Sequence, residues 1–301
     1  MEGMTVSVPA AYIAVILIWS TTPLGILWSS ESVHPTMAVL LRMVIAVIPG
    51  WLILKLRNTD FPWHADAVKV YCYSAIGIFG GMLLSYLSSR YISSGLMSLA
   101  FGISPILSGV FSMLILKENT FTAARRVALV IALVGLAVVC MDKISFKADA
   151  YWGIIMILSA VFFFSLSGVM IKSVNVQIDS MATTVGSLMV SVPLFAIAWL
   201  ALDGTFPYEQ WQPRALWSIA YLGIVGSLLG FLAYFYVLKR LDASTVSLIT
   251  MVTPVIAIAL GAWLNDERIS NDLVIGAALI ILGLAVYQWG GVIKKVKLKR
   301  A

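Results

Sequence analysis

RYISSGLMSLAFGISPILSGVFSMLILKE, residues 90–118, decides how this chain reads, because residues 240–267 repeat it in altered form as RLDASTVSLITMVTPVIAIALGAWLNDE. Each copy opens on an arginine, Arg90 or Arg240, and runs through small and apolar residues. Each then meets a proline that follows a hydroxyl residue, Pro105 after Ser104 and Pro254 after Thr253. Thirteen residues past its proline, each copy closes on a glutamate, Glu118 or Glu267. One segment written twice, half a chain apart, is an internal repeat, and a repeat sets the architecture before any single residue does.

Around this pair the chain is too apolar for a water-soluble domain. Of 301 residues, 61% are hydrophobic and 11% charged, with a mean hydropathy of +0.98. Ten apolar runs of bilayer-crossing length fall near residues 8–28, 36–54, 68–87, 93–116 and 124–141, then 151–171, 181–202, 214–238, 243–264 and 273–292. The pattern predicts an all-α integral membrane fold, with a first five-helix repeat in residues 1–145 and a second in 146–301. Ten spans and their connections leave no room for a soluble catalytic domain. A membrane enzyme would need an acid, base or metal cluster near an interface. The two cysteines, Cys72 and Cys140, and the two histidines, His34 and His64, form none. The expectation is no enzyme activity, no cofactor and no metal.

Charge fixes the orientation. With the N-terminus inside, fourteen Lys and Arg residues fall on the cytoplasmic side, among them Lys117, Lys239 and the tail from Lys294. Five fall opposite, Arg90, Lys143, Lys147, Arg214 and Arg268. That asymmetry places both termini in the cytoplasm. It also accounts for the net charge of +6 without a nucleic-acid partner. The first apolar run lacks a basic flank and a small-residue cleavage site, and is expected to stay as a span. Five spans per repeat is an odd number, so the second copy enters the membrane inverted. Inverted repeats are the geometry of alternating-access carriers, in which two pseudo-symmetric halves give two states of similar energy. A membrane scaffold or sensor has no need of that symmetry.

The repeated block, an arginine or lysine followed by hydroxyl and small residues, then Pro, Glu and a Gly-containing span (ALVGLAVV, ILGLAVY), resembles the drug/metabolite transporter superfamily in its ten-helix EamA branch. IWSTTPLG in the first span and LLRMVIAV in the second resemble the same pattern. The resemblance implies a small-metabolite transporter of the bacterial inner membrane, with a mid-membrane cavity lined by spans 1, 3, 4, 6, 8 and 9. Its partners are then a small-molecule substrate and the lipid bilayer, with a proton or no coupling ion, as a monomer or weak homo-oligomer. Related small multidrug carriers use a membrane-embedded glutamate on the first helix, where this chain has Ser20, Thr21 and Thr22. Neutral or zwitterionic cargo therefore fits better than proton-coupled cations. An exporter of amino acids or related compounds is the expectation, and a multidrug exporter the alternative.

The candidate cavity residues are Trp19, Ser20, Thr21, Arg42, Phe79, Tyr86, Ser98, Phe101, Ser104, Phe163, Ser167, Tyr234, Ser247, Thr250 and Thr253. Pro105 and Pro254 each remove a backbone hydrogen bond inside a span. They are candidate hinges, or static kinks. Gly80 and Gly230 align when Arg90 is set against Arg240, and serve packing and sliding rather than contact with cargo. Glu118 and Glu267 are candidate gates or solvated helix ends. Arg42 is the charge placed well inside a span, which makes it a functional candidate by default. It pairs with a cargo carboxylate or phosphate, or else caps carbonyls or snorkels to the interface.

Overall fold

The structure is a computed structural model, and it describes residues 7–117, 123–146, 149–241, 246 and 249–298. Among these residues there is no strand, and ten helical rods follow one another. They are α1 (Val8–Ser29), α2 (Pro35–Leu56), α3 (Ala65–Ser88), α4 (Ser94–Ile115) and α5 (Ala123–Phe146), then α6 (Ala150–Ser173), α7 (Ser180–Leu202), α8 (Pro213–Arg240), α9 (Ile249–Asn265) and α10 (Asn271–Leu298). Seven of these, α1 to α4 and α6 to α8, are long and apolar enough to cross a membrane. Shorter apolar helices cover Val252–Asn265 and Asn271–Tyr287. With successive rods antiparallel, α1 begins and α10 ends on one face, here the proximal face. The opposite face is distal.

The outer surface of the bundle is unlike that of a water-soluble protein, and its interior mixes apolar side chains with hydroxyls. Large aliphatics such as Leu17, Ile48, Leu52 and Ile197 are exposed, while Ser20, Ser74, Ser85, Thr184, Ser187 and Ser191 are buried. In lipid there is no gain from hiding Leu, and small or hydroxyl residues let helices approach closely. These buried hydroxyls are satisfied within their own helices. Ser74 donates to the Val70 carbonyl at 2.7 Å, Ser85 to Gly81 at 2.7 Å and Ser191 to Ser187 at 2.7 Å.

Helices of the first five pack on helices of the last five. α3 lies on α6 and α8 on α1; α4 lies on α6 and α9 on α1; α2 pairs with α7, and α5 with α10. The α5–α10 pair is the tightest by backbone. A side chain on Gly135 would meet the Gly276 carbonyl at 2.7 Å, and one on Gly276 would run into Val139.

Three rods depart from regular α geometry. α3 contains a π segment at Ile76–Gly80, and α8 one at Leu222–Leu229. α4 breaks at a turn through Gly102 and Ile103, whose N–H groups bond Leu99 and Ala100 carbonyls at 2.9 and 3.1 Å. It resumes at Ser104–Ile115 with Pro105 in the first turn, where a missing N–H costs little. Pro254, by contrast, sits inside the continuous α9. The twin prolines therefore occupy different local structures. The two copies do share an ending: Lys117 and Asp266, each just before its glutamate, have φ of 55° and 49°.

Candidate functional site

The interior of the bundle holds a file of cavities that share walls. A central one of about 60 Å³ is lined from α1, α2, α3, α4, α6 and α9, by Trp19, Thr22, Pro23, Ile26, Arg42, Met82, Ser85, Met97, Ser98, Phe101, Phe164, Thr250 and Thr253. Toward the proximal face a second, of about 40 Å³, shares Trp19, Phe164 and Thr250 and adds Ser104, Ser165 and Tyr234. Its Leu238 also borders an open mouth of about 670 Å³ at the proximal face. Lys172, Lys239 and Arg240 stand around this mouth.

Aromatic rings form the partition between the two inner cavities. Trp19 contacts Phe164 and Tyr234 at centroid distances of 5.5 and 5.0 Å, and Phe101 contacts Phe164 at 5.9 Å. Beside them the Ser104 and Ser165 hydroxyls pair at 2.9 Å, joining α4 to α6. The walls are thus apolar faces interrupted by hydroxyls, the usual make-up of a small-molecule site.

A polar cluster stands at the distal end. The Glu267 carboxylate accepts the backbone N–H of Ser94 at 3.1 Å and of Gly95 at 3.3 Å. These are the first free donors of α4, and Ser93 Oγ accepts the next, Leu96 N–H, at 3.4 Å. Asn265 Nδ2 donates to Glu267 at 3.4 Å, and Asn265 Oδ1 accepts from Trp28 Nε1 at 2.9 Å and from Arg214 at 3.3 Å. Arg214 also lies 3.6 Å from Glu31 and 4.3 Å over the Trp28 ring. One cluster therefore ties the distal ends of α1, α4, α8 and α9. On the same face His34 Nδ1 is 2.7 Å from Thr36 Oγ1 and 3.7 Å from Asp203. Burial, then Arg90, lower its pKa below the ordinary histidine value against the opposing pull of Asp203. The ring is held neutral, and the Asp203 contact is not an ion pair at neutral pH.

An EamA-like transporter family model matches the chain twice, over residues 8–141 and 151–288, which together span α1 to α10. The chain belongs to the EamA-like transporter family. It is similar to the uncharacterized transporter YoaV of Bacillus subtilis, 26% identical over 93% of this chain and 96% of the relative. An uncharacterized transporter of Archaeoglobus fulgidus is 26% identical over 90% and 95%. A probable amino-acid metabolite efflux pump of Escherichia coli is 25% identical over 53% of this chain and 56% of that one. A solved structure titled "Crystal structure of protein" has the same fold, with a TM-score of 0.66 over 93% of this chain and 96% of that chain at 20% identity. The chain is accordingly a multi-pass membrane protein of the drug/metabolite transporter superfamily.

In this EamA-like chain the candidate residues separate into groups. Trp19, Arg42, Ser98, Phe101, Thr250 and Thr253 meet around the central cavity, and Ser104 and Tyr234 around its neighbour. Ser167 lies on a small void beside Gly77 and donates to the Tyr73 carbonyl at 2.7 Å. Ser20 is buried and bonded to its own helix at Ile16. Thr21 pairs with Tyr221 at 2.7 Å on the outer side. Phe79 packs on Phe195 at 5.1 Å. Phe163 fills the space over Gly80, where a Cβ would meet it at 2.9 Å. Gly230 faces Ile18 and Trp19 in the same way, at 3.3 and 3.4 Å. Tyr86 is fully buried, 5.9 Å from the Arg42 guanidinium. Ser247 and Glu118 lie outside the described residues. Phe164, Thr22 and Ser227 are among the site residues that sequence reasoning passed over, as are Ser85, Met97 and Ser165. Only helical phase, one residue on from the chosen Phe163 and Thr21, could have pointed to the first two.

Proposed function

We propose that this protein is a carrier that exports amino acids or related small metabolites by alternating access between two inverted five-helix halves. The observation that carries the reading is the central cavity. Its walls come from both matched segments, the Glu267 cluster lies on its distal side, and a second cavity and an open mouth continue it proximally. The exchange of helix partners between the halves, α3 on α6 against α8 on α1, supports the inverted arrangement. The charge asymmetry supports both termini, and hence the basic mouth, on the cytoplasmic side.

The central cavity is far smaller than the several hundred Å³ of a typical ligand pocket. Cargo enters it when α4 and α9 move, α4 at its Gly102 turn and α9 at Pro254. A compact metabolite asks less of that widening than a drug-sized molecule does, which favours metabolite over multidrug export. Among the described residues no acidic side chain lines the three cavities of the file. This supports facilitated diffusion or weak coupling over proton exchange at a buried carboxylate.

The test is counterflow in proteoliposomes across amino acids, nucleosides and sugars. Saturable exchange confined to amino acids and their close relatives is expected. Exchange of none of these solutes, with the protein intact, would sink the transport reading. Preference for bulky cationic drugs would sink the substrate class alone.

A further inference from the structure

Arg42 is 1% exposed, stands on the wall of the central cavity and has no partner for its Nη1. Its Nε donates to Ser227 Oγ at 2.7 Å, and the Ser227 hydroxyl in turn faces Met43 Sδ at 3.8 Å. The π segment of α8 carries Ser227 into this position. Neighbouring Gly226 makes the fit close: a Cβ there would stand 3.2 Å from Arg42 Nη2. Tyr86, whose ring lies 5.9 Å from the guanidinium, likewise has a buried hydroxyl without a partner. Arg42 makes no ion pair among the described residues. It is therefore neither bonded to backbone carbonyls nor extended to an interface.

A buried guanidinium without a counter-charge is costly, and its fixed fork of donors matches the paired oxygens of a small oxyanion, of which the carboxylate is the most compact. Ser227 and Gly226 hold one side of that fork rigidly while Nη1 is left over. We propose that Arg42 is the anion-recognition residue of the transport site, its Nη1 holding a carboxylate of the cargo. This rests on the carrier reading above and narrows it. The wall offers Trp19, Pro23, Ile26, Met97 and Phe164 for a compact apolar body, but no acid for an ammonium group. The carboxylate is thus required and the amino group is not. N-acylated amino acids and 2-oxo acids fit as well as amino acids, and the corresponding amides and amines do not. The positive mouth at Lys172, Lys239 and Arg240 has the sign that gathers such anions.

The experiment uses the side chains of alanine, leucine and phenylalanine, each as the amino acid, N-acetyl acid, 2-oxo acid, amide and decarboxylated amine. Two readouts are taken: competition in proteoliposome counterflow, and ligand-induced thermal shift of the detergent-purified protein. The carboxylates should compete at least about tenfold better than amide and amine, the scale of one charge-assisted hydrogen bond. In Arg42→Gln that ratio should fall to about one. Arg42→Lys, which keeps the charge if the glutamine variant does not fold, should weaken the three carboxylates and leave amide and amine unchanged. Equal competition by acids and amides in the wild type, or equal weakening of all five forms by Arg42→Lys, overturns the assignment while carrier function stands. Carboxylate-selective thermal shifts that vanish in Arg42→Gln, without flux of any compound, support the site and overturn the carrier reading. Absence of both flux and shift overturns both.

Discussion

Lys117 adopts φ of 55° where α4 ends, and its counterpart Asp266 adopts 49° at the end of α9. A left-handed residue lets the helix stop and the chain turn, but a lysine there carries strain that glycine would not. Lys117→Gly should raise stability by about 1 kcal/mol, measured as a higher midpoint in detergent melts; a lower midpoint would show that the lysine side chain holds the turn. His34 makes a pH prediction. Its folded pKa is lowered, so the folded state binds fewer protons than the unfolded one just below the ordinary histidine value. Its contribution is present above that value and is lost as pH falls through the folded pKa. Melting temperature should decline on acidification below about pH 6.5, and His34→Asn should flatten that part of the profile. An unchanged slope would assign the effect elsewhere.

At this same scale the sequence was only partly legible. Phe163 and Thr21 were chosen where Phe164 and Thr22 face the cavity. Neighbouring residues on a helix point about 100° apart, and amphipathicity normally tells which is inward. In α6 the FFF run at 162–164 is apolar on every side, so nothing in the pattern supplies the phase. Arg42 was legible as an anomaly because a charge inside a span stands out. Its seat was not, since Ser227 lies in a π segment whose extra residue shifts the helical register.

Among elements, the α5–α10 pair and the distal cluster carry separate consequences. Gly276 has the Gly135 carbonyl and Val139 where a side chain would go. Gly276→Val should destabilise by about 1–3 kcal/mol through overpacking, seen as loss of monodisperse protein after extraction. Retained yield and melting point would mean the two helices part readily. For the distal cluster, Glu267→Ala removes the acceptor of the Ser94 and Gly95 amides. With cysteine at Ser98, the variant should react faster with a membrane-impermeant thiol reagent from the distal side. Equal rates would show that the cluster does not seal the cavity. The repeat made Pro105 and Pro254 matched candidates for hinges or static kinks. The local structures differ because Gly102 lets α4 break before its proline, whereas the residues before Pro254 keep α9 helical.

For the whole molecule, the duplicated stretch gave the helix count and the succession of spans, because length and hydropathy suffice for both. The cross-packing between halves was not legible, since small residues mark that an interface exists without naming its partner. If the halves rock about the central cavity, cysteines at Ser104 and Thr253 should change thiol reactivity in opposite senses when cargo is supplied from one side or the other. Fixed reactivity at both would contradict the rocking reading. A reporter fused after Ala301 is expected to be active only in its cytoplasmic form.

If α4 moves during transport, the hold of Glu267 on Ser94 and Gly95 gives that motion a clock. Those two amide protons are shielded by a carboxylate from the segment that follows α9. An α4 that leaves that position exposes them to water, and where their exchange with deuterium outpaces reclosing it occurs once per opening. In that regime the lifetime of the contact is written in two backbone protons, readable without introduced cysteine, reporter or substrate.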